Sequence, residues 1–169
     1  MIKIRRRSKS KLPRSNQNHE IAGIRGINIR RAREADLVHV VKMSAGVREI
    51  ENYNGQRMDR HDFLQFVRSR TALMFVAEND GKVVGYITVY KAGNYFYLPY
   101  AVVDRRWRGR GVGSELLKYV ERLAEKSGAA YILMSVYKDN SKVHSILNKH
   151  GYKASRELIQ YSKVIEGKR

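Results

Sequence analysis

The sequence predicts an α+β fold, one domain with a mixed central sheet flanked by helices, and three observations predict it. Two β-rich runs, Leu73 to Glu78 and Val83 to Tyr90, are joined by Asn79-Asp80-Gly81-Lys82, and Asp-Gly between such runs marks a hairpin. Later, SELLKYVERLAEKSG sits between two β-like runs, the order of a crossover helix. The chain has 169 residues, enough for one substantial core but not for two full-sized domains.

In chain order, Ile27 to Arg30 alternates as a short strand. Asp36 is placed as the N-cap of a helix whose Leu37, Val40, Val41 and Ser44 share one face. Phe63, Leu64, Phe66 and Val67 mark a second helix started by Asp59 or Asp62. After the hairpin and a turn at Lys91 to Asn94 comes a strand over Tyr95 to Val103. Pro99 lies inside it, and a residue without an N-H there predicts a bulge or a break in pairing. The helix after the loop puts Leu116, Leu117, Val120, Leu123 and Ala124 on one stripe and stops at Gly128. Ala129 to Tyr137 is mostly apolar and predicts a central strand. Ser141 to His150 is a short helix burying Val143, Ile146 and Leu147, and β-like runs near Tyr152 to Arg156 and Leu158 to Val164 finish the chain.

Lys and Arg number 34 against 16 Asp and Glu, a formal charge of +18. Such a surface favours anionic partners: nucleic acid, an anionic cofactor or an acidic protein face. The first 26 residues hold eight basic residues and one acid, Glu20, so residues 1–26 are expected to be a basic, flexible arm and 27–169 the folded domain. A solubilising tail and an arm that contacts RNA or DNA both fit that composition. A transit peptide fits less well, for lack of an amphipathic face. The absence of cysteine excludes disulfides, a thiolate zinc site and a cysteine nucleophile. The apolar runs are too short to span a membrane, and a cytoplasmic protein without metal is expected.

One loop carries the functional signal. Arg108-Gly109-Arg110-Gly111-Val112-Gly113 lies between a strand and a helix. Glycines there let backbone approach a ligand, and the unpaired N-H groups of the helix start favour phosphate. Arg105, Arg106, Arg108 and Arg110 add guanidinium groups suited to a pyrophosphate. Gly113-Ser114-Glu115 lacks the lysine of a P-loop. A GxGxxG dinucleotide fingerprint wants glycine where Ser114 stands and an acid where Val136-Tyr137-Lys138 stands. The remaining alternative is a glycine-rich turn within a basic surface.

The stretch VVDRRWRGRGVGSELL resembles the acetyl-CoA-binding segment of the GNAT superfamily of N-acetyltransferases, whose Gln/Arg-x-x-Gly-x-Gly/Ala signature is met by Arg108, Gly111 and Gly113. A second segment, Asn140 through Gly151-Tyr152, is similar to the family's later pattern of an Asn before a helix that ends in Gly-Phe or Gly-Tyr. The resemblance covers the whole body. It implies a mostly antiparallel sheet with a splayed parallel strand pair at the cofactor. It further implies that the backbone of Ala101, Val102 and Val103 pairs with the pantetheine arm. The amides of Gly109, Arg110, Gly111, Val112, Gly113 and Ser114, beside Arg108, would hold the pyrophosphate, and Asn140 would bond the cofactor arm or cap its helix.

By the same resemblance, a glutamate common in relatives falls at Tyr97 here, and a tyrosine acid falls at Leu147. Tyr97 is therefore the catalytic candidate by position, with His144 a more distant one. Glu49, Glu51 and Tyr53 lie where relatives shape the acceptor site, and an ordinary solvated loop is the simpler reading of them. The expected activity is acetyl transfer from acetyl-CoA to a primary amine, a protein or peptide amine ahead of a small molecule. The alternative is a CoA-binding or nucleic-acid-binding module of the same fold without catalysis.

Overall fold

In the computed structural model the described residues are 26–45, 47 and 58–155. The basic arm up to residue 25, Glu49, Glu51, Tyr53 and the run Leu158 to Val164 lie outside them. Six strands form one sheet: β1 Ile27–Arg31, β2 Ala72–Asn79, β3 Lys82–Ala92, β4 Tyr95–Tyr97, β5 Ala101–Val103 and β6 Tyr131–Leu133. Four α-helices accompany them: α1 Leu37–Ser44, α2 Arg60–Arg68, α3 Val112–Lys126 and α4 Ser141–Lys149. The order along the sheet is β1-β2-β3-β4-β6, with β5 also on β3. All pairs are antiparallel except β4 with β6. Among the described residues no helix is long and apolar enough to cross a membrane.

The sheet is covered on both faces, so β2 reads as an unbroken apolar run and Ala72 to Ala77 are all buried. On one face Val40 of α1 and Phe63 and Phe66 of α2 pack on Met74, Val76, Tyr86 and Val102. On the other, Val112, Leu116, Leu117 and Val120 of α3 pack on Phe75, Ile87, Val89, Phe96 and Leu98. Gly85 sets how closely α3 approaches: a Cβ there would sit 3.0 Å from the Val102 carbonyl oxygen and 3.3 Å from the Val112 side chain. The start of α3 is thereby held against β3 and β5.

Helix α2 starts as expected, with Asp59 and Asp62 exchanging backbone and side-chain hydrogen bonds as a capping box. Asp36 stands at the N-cap position of α1, as expected, but its side chain makes no capping bond there. It closes a 3-10 turn at Glu34–Asp36 and is buried, because Arg30 of β1 donates to both of its oxygens at 2.8 and 2.9 Å and to Glu78 at 2.8 Å. Burial alone would push the Asp36 carboxyl up, but the Arg30 guanidinium and the Arg33 N-H hold it below the usual carboxylate range.

The expected central strand at Ala129 to Tyr137 is regular only over β6, which ends the strand order among the described residues, with Tyr131 and Leu133 exposed. Ile146 and Leu147 of α4 pack on the α3-side core while remaining half-buried. Tyr152 to Ser155 form no strand.

Candidate active site

The expected strand over Tyr95 to Val103 is broken where Pro99 stands, and the break builds the site. Leu98 donates its N-H to the Leu133 carbonyl at 2.9 Å, the last bond between β4 and β6. Beyond it the chain steps aside and re-enters the ladder only toward β3, as β5. Thr88, fully buried on β3, clamps the step. Its N-H donates to the Tyr100 carbonyl at 2.8 Å, and its hydroxyl accepts from the Tyr100 N-H at 3.0 Å and donates to the Tyr100 carbonyl at 3.1 Å. Thr88→Val keeps the shape but orphans the Tyr100 N-H. It should cost about 1 to 3 kcal/mol of stability in denaturant melts, with Thr88→Ser retaining most of it.

The two parallel strands therefore part after Leu98 and Leu133, and the outer edge of β5 has no strand partner among the described residues. Tyr100 and Asp104 are bonded toward β3, and ladder bonds alternate with period two. Val102 accordingly faces β3, while the N-H groups of Ala101 and Val103 face the gap. Of the three residues expected to pair with a cofactor arm, only Ala101 and Val103 turn their N-H groups to the gap.

The loop after β5 closes the end of this gap. Asp104 accepts the Arg106 N-H at 2.9 Å and pairs with its guanidinium at 3.2 Å, opening a 3-10 turn at Arg105–Trp107. That guanidinium, beside the Asp104 carboxylate, holds it below the usual range. Arg108 folds back so that its Nε donates to the Val103 carbonyl at 3.1 Å. Arg110 lies over the Trp107 ring at 5.2 Å. The four loop arginines are thus individually tethered, apart from exposed Arg105, rather than gathered into one cluster.

Gly111, at φ 83, is the N-cap of α3 in the left-handed conformation and offers no side chain to the helix start. The first-turn N-H groups of Val112, Gly113 and Ser114 have no intrahelical acceptor. They point out of the helix end beside β5, where the helix dipole favours an anion. Asn140 lies beyond β6 and caps α4, accepting the Val143 N-H at 3.3 Å.

Tyr97 is half-buried on β4, opposite Tyr90 of β3 and Leu133 of β6. Its side chain lies on the α2 face of the sheet, at the rung just before the strands part. Leu147 packs into the core on the other face, and the His144 ring nitrogen lies 3.1 Å from the Tyr137 carbonyl. The structure thus brings together the β5 edge and the loop from 108 to 114, while Tyr97 lies on the α2 face at the rung before the strands part. Thr88 was not singled out by the sequence, because its role exists only in the register between β3 and Tyr100.

Structures of known proteins share this fold. A transcriptional regulator of Bacillus halodurans superposes with a TM-score of 0.68 at 22% identity, over 81% of this chain and 99% of that one. A ribosomal-protein-alanine N-acetyltransferase of Escherichia coli gives 0.66 at 17%, over 77% and 79%. An aminoglycoside acetyltransferase in complex with a CoA bisubstrate analogue gives 0.66 at 20%, over 82% and 99%. At these identities the likeness is one of fold. The profile of the Acetyltransferase (GNAT) family matches residues 40–152, the span from α1 through the gap, the glycine-turned helix start and α4, and the chain belongs to that family.

Proposed function

We propose that this chain transfers acetyl from acetyl-CoA to a primary amine, with a peptide or protein amine as acceptor. The observation that carries the reading is the parting of β4–β5 from β6 directly beside the uncapped start of α3. An extended amide-bearing arm fits an open strand edge, and a pyrophosphate fits a helix start built on Gly111. Ala101 and Val103 would hold the pantetheine through their outward backbone groups, with Val102 keeping the strand on β3. Gly109, Arg110, Gly111, Val112, Gly113 and Ser114 would hold the pyrophosphate through their amides. Arg108 fixes the loop to the strand, and Asn140, the cap of α4, would bond the cofactor arm.

Acetyl-CoA supplies an activated acyl carbon as a thioester. The neutral amine nitrogen attacks that carbon, the C-N bond forms as the C-S bond breaks, and CoA leaves as the thiolate. The nitrogen must then lose a proton, which balances the one the thiolate takes up. Tyr97 would pass that proton through its hydroxyl to water. Holding the reactants in line supplies much of the rate, since positioning alone can be worth roughly 7 to 11 kcal/mol. Amine-dependent release of free thiol from acetyl-CoA, screened over peptides and small amines, tests the reading. Tight acetyl-CoA binding with no amine-dependent release would leave a binding module.

The charge suggests a second contact. Residues 1–20 hold seven Lys and Arg against one Glu, and clustered basic residues release counterions from a phosphate backbone. Deleting them should leave the melting temperature within about a degree. It should lower RNA or DNA affinity at low salt and flatten its salt dependence. An unchanged affinity would remove the arm from that role.

A further inference from the structure

The α2 face of the sheet carries aromatic surface that the proposed chemistry does not use. Among the described residues the exposed large hydrophobics are Val38, Tyr90, Tyr131, Leu133 and Tyr137, and Tyr90, Tyr131 and Leu133 share this face by their registers with β4. Tyr90 and Tyr97 are cross-strand partners on β3 and β4, as are Tyr97 and Leu133 on β4 and β6. Tyr95 and Tyr131 are also paired, with rings stacked at 5.1 Å and 2° apart. Beyond Leu133 the chain is no longer strand, and exposure still alternates as far as Tyr137. Large exposed apolar groups gathered on one face mark a binding surface rather than chance.

Its lining bears on the occupant. Side chains from three strands, about 10 Å across, form it: Tyr90 from β3, Tyr95 and Tyr97 from β4, and Tyr131 and Leu133 from β6, a lining that suits an apolar chain.

The proton problem narrows the choice further. A phenol at the position of the family's glutamate is a poor base for an intact ammonium. About a tenth of a peptide α-amine is neutral at pH 7, against a few in ten thousand for a lysine. A site of this kind therefore works with an amine that sheds its proton unaided.

We infer that the acceptor is the α-amine of a peptide with an apolar N-terminal segment, laid along the tyrosine face with its first nitrogen entering the gap beside Tyr97. This rests on the acetyltransferase reading above and names its substrate class.

Four probes test it with the full chain and acetyl-CoA: a lysine-free peptide with apolar first residues and a free α-amine; the same peptide N-terminally blocked with one internal lysine; a free α-amine peptide with charged first residues; and spermidine. The first should exceed the second by at least about thirtyfold in kcat/KM, and the third and spermidine by about tenfold or more. Tyr131→Ser should raise the KM for the first peptide about tenfold while leaving the KM for acetyl-CoA unchanged. Tyr131→Phe, which keeps the stacked ring, should restore it. Faster turnover of the lysine peptide or spermidine, or an unmoved peptide KM in Tyr131→Ser, overturns the inference while leaving an acetyltransferase. Acetylation of none of the four overturns both readings.

Discussion

Gly111→Asp should weaken acetyl-CoA binding at least a hundredfold while the domain stays folded. Gly111 sits at φ 83 as the N-cap of α3, so any side chain there costs about 1 to 2 kcal/mol of backbone strain. Aspartate offsets part of that by capping, since its carboxylate takes the N-H groups of the first turn. Those are the donors a pyrophosphate needs, and the carboxylate adds repulsion besides. Gly111→Ala carries the strain without the charge and should lose far less. Calorimetric titration of acetyl-CoA against the three proteins decides the matter, and equal affinities for wild type and Gly111→Asp would remove the loop from cofactor binding.

Tyr97→Phe should lower turnover by about 10² to 10⁴, the range of one acid-base group, with little change in acetyl-CoA affinity. The ring lies between Tyr90 and Leu133, so phenylalanine preserves the packing and removes only the hydroxyl. In both proteins kcat/KM should rise with pH as the acceptor amine becomes neutral, and the mutant's curve should run below and parallel to the wild type's. A mutant within a few-fold of wild type from pH 6 to 10 would show that no proton passes through Tyr97.

The parts of the fold legible in the sequence are those set by local chemistry. The Asp80-Gly81 hairpin, the capping box at Asp59 and Asp62, and the stripe of α3 from Leu116 to Ala124 each depend on residues a few positions apart. Pro99 announced the break in its strand because a missing N-H is a local fact. The loop from Arg108 to Gly113 was legible for a similar reason: left-handed glycines before an amphipathic helix have few other uses.

What escaped depends on residues far apart in the chain. Asp36 stands at an N-cap position, yet its carboxylate is turned to Arg30, which Glu78 of β2 also holds. Ala129 to Tyr137 reads as a central strand because Tyr and Leu score as apolar whether they face a core or solvent. Only the register with β4 shows that Tyr131 and Leu133 extend an exposed tyrosine surface. Thr88 gave no signal at all, since its partner Tyr100 is supplied by a neighbouring strand.

In the proposed reaction the acetyl donor would lie along β5 and the start of α3, the amine on the opposite face, and the two would meet at the gap between β5 and β6. The most direct test is the affinity of a conjugate in which CoA is tethered through its acetyl carbon to the α-nitrogen of an apolar peptide. The account predicts that it binds at least a hundredfold more tightly than CoA alone. A conjugate bound no more tightly than CoA would contradict a shared, two-sided site.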